Sequence, residues 1–214
     1  MARLARRLLS VVAVFGLAAT AWAAEAPSGT VVYKIHHEKY GDIGSHTLTF
    51  AESGGELTVD VENKMKVKVL FVTVFRYEAE RRELWRGGRM VGYRSQTHDD
   101  GTDISAVAEL KGDKLVIEGP NGRATTPLGV FPTNPWNREI VAQPLLMDTK
   151  TGELLKVEIA EAGEDTLEIR GKSVKAKKYV IAGELERELW YGEDGTWLQM
   201  RFDSDGSAVT FTLE

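Results

Sequence analysis

Apolar and polar positions alternate along most of the chain, and the longest such stretch is residues 56–85, ELTVDVENKMKVKVLFVTVFRYEAERRELW. Leu57, Val59, Val61, Met65, Val67 and Val69 share one parity, with Asn63 the only polar break. Thr58, Asp60, Glu62, Lys64, Lys66 and Lys68 share the other. A period of two marks a half-buried β-strand. Between Leu70 and Phe75 both parities are apolar except at Thr73. The segment holds thirty residues without Gly or Pro. At about 3.3 Å per residue it would run about 100 Å, against about 40 Å across a domain of this size. The pattern therefore predicts a strong bend, or a hairpin with an apolar tip, at residues 70–75.

The rest of the chain reads as further sheet. Strands are predicted over residues 31–37 and 45–51, 89–98 and 102–110, 115–118 and 123–126. Gly/Asp/Asn turns fall between them at meander spacing. Matching the apolar faces of the first two strands sets Tyr33 against Phe50 and Ile35 against Leu48. That register leaves Gly41-Asp42 as a two-residue loop and brings His37 opposite His46. Residues 126–144 hold four of the six prolines. They predict one short helix, with Asn134 as N-cap, Pro135 first in the helix, Trp136 and Ile140 on one face, and Pro144 beyond its end. Residues 145–214 return to sheet, with turns expected at 148–152, 162–165, 171–172, 192–195 and 203–206. Arg82-Glu83-Leu84-Trp85 recurs as Arg187-Glu188-Leu189-Trp190, each followed at the same distance by an Asp-Gly turn. Residues 82–110 and 187–214 are thus candidate duplicated meanders, with reuse of common turn chemistry as the alternative. The fold class is mainly β: a curved antiparallel sheet or open β-barrel with one short helix near its concave side.

The N-terminus changes the cellular picture. Arg3, Arg6 and Arg7 precede an apolar run, and Ala21-Trp22-Ala23 is an A-x-A cleavage pattern. Residues 1–23 read as a signal peptide, residues 24–214 as a single β domain, and the location as periplasmic. The formal net charge is −5, and −8 without the three leader arginines. Such a balance argues against nucleic acid as a partner. The chain has no cysteine, so core burial rather than disulfides has to hold the domain. A monomer is expected.

The chemistry on offer is sparse. No nucleophile elbow, zinc-protease helix or phosphate-binding Gly loop occurs, so neither enzymatic activity nor a cofactor is expected. His37 and His46 are candidates for a metal in the register above, since paired Cβ atoms lie about 5 Å apart, although no third ligand is near in sequence. The other candidate is the apolar tip. Leu70, Phe71, Val72, Val74 and Phe75 follow Lys64, Lys66 and Lys68 and precede Arg76, a basic collar round an apolar patch. That arrangement suits an anionic amphiphile or a membrane surface. Trp136, on the expected helix, joins this ligand- or membrane-contact set. Alternatively, the helix covers the patch and makes it core.

Several stretches carry a resemblance: IGSH from Ile43, LFVTVFRY from Leu70, LWRGGRMV from Leu84, PTNPWN from Pro132, LLMDTKTGELLKV from Leu145 and LWYGEDGTWLQMRF from Leu189. Over nearly the whole mature chain these resemble an uncharacterised proteobacterial domain-of-unknown-function family of exported β-proteins. Pro135 departs from the aromatic or hydroxyl residue expected there. The layout is also similar to the lipoprotein-localisation carriers, open β-barrels that bind acyl chains on a concave side closed by short helices. That likeness is one of architecture and does not fix function; the first reading is a binding protein for a hydrophobic or lipid-like ligand in the cell envelope. The alternative is an envelope interaction protein that meets a protein partner through the tip, and the third reading is a hydrolase with an unrecognised site.

Overall fold

The computed structural model describes residues 28–214, so the expected leader lies outside the described residues. Fifteen strands form one sheet: β1 (Gly29–His37), β2 (Gly41–Ser53), β3 (Glu56–Val69), β4 (Val72–Arg86), β5 (Arg89–Asp99), β6 (Thr102–Lys111), β7 (Lys114–Gly119), β8 (Gly122–Pro127), β9 (Phe131–Pro132), β10 (Leu145–Met147), β11 (Leu154–Ile169), β12 (Lys172–Gly183), β13 (Arg187–Tyr191), β14 (Trp197–Ser204) and β15 (Ser207–Leu213). Their spatial order is β8 through β1 in reverse, then β15 down to β9. All neighbours are antiparallel except β9 and β10. The two edges, β8 and β9, share no ladder.

The edges approach each other through side chains and loops. Asn121 Nδ2 donates to Glu153 Oε1 at 2.8 Å, and the Tyr93 hydroxyl donates to the Thr149 carbonyl. Gly119 packs so closely on Thr151 that an added Cβ would overlap its carbonyl. The result is a curved, unclosed, barrel-like sheet with its core on the concave side. Val59, Val61 and Val67 of β3 face that core, as their alternation predicts.

Residues 130–136 are buried without interruption. Trp136 meets Phe50 and Trp85 edge-on, while the Tyr191 hydroxyl donates to the Pro135 carbonyl at 2.8 Å. The segment therefore touches strands from both halves of the sheet and fills the interior between them.

Three local expectations are corrected. The helix is a single 3-10 turn, Arg138–Ala142, capped by Asn137, whose side chain accepts from Glu139 N. Asn134 looked like the cap, but its amide is drawn into the interior instead. The turn expected at 162–165 is a bulge, because Gly163 takes φ 104 and β11 runs on through it. The β1–β2 register is offset by four residues at Tyr33, which pairs with His46, and by five at His37, which pairs with Gly41 beyond a bulge at Ile35–His36. A three-residue loop, 38–40, followed by Gly41 at φ 74, replaces the two-residue turn. Up to the bulge the offset is even and leaves each side chain on its expected face, which is why the pattern could not expose the slip.

Candidate functional site

The β3–β4 hairpin turns on Leu70-Phe71, with Val69 paired to Val72. Both turn residues have positive φ, 47 and 70. Among the described residues, five other two-residue loops have positive φ at both positions: 54–55, 87–88, 100–101, 170–171 and 205–206. Each of those five carries Gly second, as such hairpins prefer. Leu70 and Phe71 adopt it at a cost of about 1–2 kcal/mol per residue. Packing returns nothing, since Leu70 is 87% exposed and Phe71 fully exposed. Val69, Val72 and Val74 are exposed beside them. Val74 is the extra residue of a bulge opposite Val67–Lys68.

The expected hairpin with an apolar tip is thus present, and the 3-10 turn leaves it uncovered. The collar is smaller than the sequence suggests. Lys64 pairs with Glu62, and Arg76 makes two hydrogen bonds to Glu78, at 2.9 and 2.8 Å. Among the described residues no carboxylate lies within 4.0 Å of Lys66 or Lys68. Phe75 points inward and is partly buried against the core. Trp136 belongs to the interior, where its indole donates to Glu83 Oε2 at 2.8 Å, and so it is not part of the tip.

The metal candidates come apart. His37 accepts from Lys39 N at the β1–β2 loop, whereas His46 is buried among Tyr33, Trp197 and Phe211. Among the described residues no group of three possible ligands assembles.

The concave face holds a polar belt that sequence reasoning missed. One register row runs Thr97–Ala79–Asn63–His46–Tyr33 across β5 to β1. The next begins Ser95–Arg81. Thr97 Oγ1, Asn63 Oδ1, both His46 nitrogens, Ser95 Oγ, Arg81 Nε, Asn134 Oδ1 and Trp197 Nε1 are buried with no hydrogen-bond partner. Native interiors leave few such atoms. Burial, helped by the charges of Arg81 and Arg187 and opposed by the Asn134 amide, pushes the His46 imidazole down to about 3, so it is neutral.

One carboxylate and two arginines border the belt. Glu83, with no exposure at all, accepts from Asn134 Nδ2 at 2.8 Å, Trp136 Nε1 at 2.8 Å and Trp85 Nε1 at 2.9 Å. Burial pushes its carboxyl up, while the three donors and Arg81 pull it down. Arg81 donates to the Tyr77 hydroxyl at 2.7 Å, and Arg187 to the Thr133 carbonyl at 3.1 Å. Arg187 stands where Arg82 stands in the repeated motif, yet it faces inward, while Arg82 faces outward to Asp60. The two motif copies meet the sheet with opposite parity.

Fold and interior together define a β-barrel-like protein with a partly polar core. The chain belongs to the family described as Domain of unknown function (DUF6134), whose model matches residues 33–214. No curated protein matches it. Its fold is similar to that of a beta-barrel-like protein of Domain of Unknown Function DUF1849 from Brucella abortus. That crystal structure superposes with a TM-score of 0.61 at 14% identity, over 86% of this chain and 94% of that one.

Proposed function

We propose that this is an exported binding protein for a lipid-like amphiphile, one that meets an anionic bilayer surface through the β3–β4 tip. The observation that carries the reading is the tip itself. Leu70 and Phe71 are exposed in a backbone conformation that disfavours both residue types, so neither folding nor solubility accounts for them. Backbone strain of this kind concentrates at functional sites. Lys66 and Lys68, four and two residues before Leu70, supply attraction to anionic headgroups. The leader pattern of residues 1–23 supports export to the periplasm, and the absence of a catalytic motif supports binding over catalysis.

Co-sedimentation with vesicles of phosphatidylglycerol and phosphatidylcholine tests it. Leu70→Ser/Phe71→Ser is expected to weaken binding at least about tenfold, since each buried side chain contributes about 1.5–3 kcal/mol. Lys66→Glu/Lys68→Glu is expected to weaken it most at low salt. If wild type fails to bind either vesicle composition, the bilayer reading is wrong and a protein partner at the tip takes its place.

A further inference from the structure

We propose that the polar belt on the concave face is the seat of an anionic ligand group, a carboxylate or a phosphate, held between Arg81 and Arg187. The assignment rests on reading the protein as a binder of amphiphiles and specifies the charge of the ligand's head.

The argument begins with two interior cations. Among the described residues, no carboxylate comes within 4.0 Å of either guanidinium. Their contacts are neutral: a tyrosine hydroxyl for Arg81, a carbonyl and the Met200 sulfur for Arg187. The charge of Arg81 bears on Arg187, and that of Asp148 on both from beyond pairing distance. Asp148 Oδ1 is already engaged by Lys150 N, Thr151 N and the Thr151 hydroxyl. Glu83 is engaged by its own three donors. Neither acid is available to close a bidentate pair, the arrangement a guanidinium favours.

The unpartnered atoms match an oxyanion and its substituents. Arg81 Nε, Trp197 Nε1 and the hydroxyls of Ser95 and Thr97 are donors without acceptors, and the neutral His46 offers one of each. Asn63 Oδ1 and Asn134 Oδ1 are acceptors, fit for a hydroxyl or amide near the anionic group. Leaving this many groups unmatched costs about 1–3 kcal/mol apiece, and a ligand with both chemistries removes that cost. Arg187 is only partly buried, so the belt reaches solvent on that side. Leu48 and Val61 pair two residues along from His46 and Asn63 on the same face, and Phe211 packs on His46, apolar neighbours that suit a short hydrocarbon tail.

Titration calorimetry with octanoate, octyl phosphate and octanol on the purified protein tests the assignment. At least one of the two anions is expected to bind ten or more times tighter than octanol, and the one preferred identifies the head group. Arg187→Gln should weaken that anion at least tenfold, with Arg187→Lys falling between. Asn63→Leu removes an unmatched acceptor, so it should leave the thermal midpoint of the free protein unchanged or higher, and it should not weaken octanoate, which carries no hydroxyl or amide for that oxygen to accept from. Arg201→Gln, exposed on β14, is the control expected to bind as wild type. Equal binding of octanol and the anions, or indifference of the Arg187 variants, would overturn the assignment. So would no binding of any probe, which would leave the belt a structural, hydrated feature only. Leu70→Ser/Phe71→Ser should leave probe binding intact, so failure of the tip and failure of the belt are separable.

Discussion

His46 and Asn63 face each other across β2 and β3 inside the sheet, and neither His46 nitrogen nor the Asn63 carbonyl has a hydrogen-bond partner. A histidine so placed makes stability depend on pH. Its folded pKa is lowered to about 3 from the ordinary 6.5, so between those values the unfolded chain binds one proton more than the folded one. The stability is fully present above pH 6.5 and is lost as pH falls below it. Between pH 7.5 and pH 5 the loss from this residue is about 2 kcal/mol. Urea unfolding of wild type and His46→Gln at both pH values measures it. The wild type should lose about that much more than the variant.

Glu83 gives a second expectation. Glu83→Ala strands three buried N–H groups, those of Trp85, Trp136 and Asn134. At about 1–3 kcal/mol for each unsatisfied group, the variant should lose at least about 3 kcal/mol. For a chain of this length the melting temperature then falls by about 6–12 °C. Glu83→Gln keeps one acceptor oxygen and should lose less. A Glu83→Ala protein that melts with wild type would show that residues 130–136 are held in the interior without this anchor.

The tip should trade stability against binding. Leu70→Asn/Phe71→Gly installs the residues that the mirror-image hairpin turn prefers. Relief of the left-handed strain should add about 1–3 kcal/mol, read as a higher urea midpoint at unchanged slope. The same variant should lose its affinity for anionic vesicles. A drop in midpoint would show that Leu70 and Phe71 contribute packing that their exposure conceals.

Gly119 tests how the sheet edges meet. Gly119→Ala drives a methyl group into the Thr151 carbonyl, and overpacking against backbone costs about 1–3 kcal/mol. Gly54→Ala, which meets nothing within 4 Å, has positive φ and so reports backbone strain alone. The Gly119 variant should be the less stable of the two by calorimetry; equal midpoints would mean that the edges stand apart in solution.

Much of the sheet was legible because burial follows parity. The alternation around Val59 and Val61 gave β3, and the loss of alternation at Leu70 gave its turn. Asn63 was visible as the one polar residue on an apolar face, and it marks the belt; Glu83 and Arg81 share that face of β4 but sit in a run of charges that reads as solvated. What parity cannot supply is distance. Asn134 and Trp136 lie 51 and 53 residues from the carboxylate they bind, and an Asn-Pro pair before an apolar run reads locally as a helix start. The β1–β2 register failed for a related reason. Gly44 packs on β3 with its missing Cβ over the Lys64 carbonyl, and a bulge at Ile35–His36 shifts the pairing there. The contact of Gly44 with β3 lies outside the hairpin whose turn was being read, and the bulge leaves no mark in the alternation.

The pairing of β1 with β15 sets the order of events in making this molecule. The two ends of the domain lie side by side at the middle of the sheet, while its midpoint, β8 and β9, forms the outer margins. A nascent chain can complete the hairpins from β1 to β8 as they emerge, yet β1 keeps one flank unpaired until residues 207–213 have been synthesised. Such contacts between distant residues form slowly, because loop closure must precede them. An unpaired strand flank is open to association with other chains. The last seven strand residues are therefore the ones whose loss exposes the centre of the sheet rather than its rim, and truncation there should yield an aggregating species rather than a shortened native one.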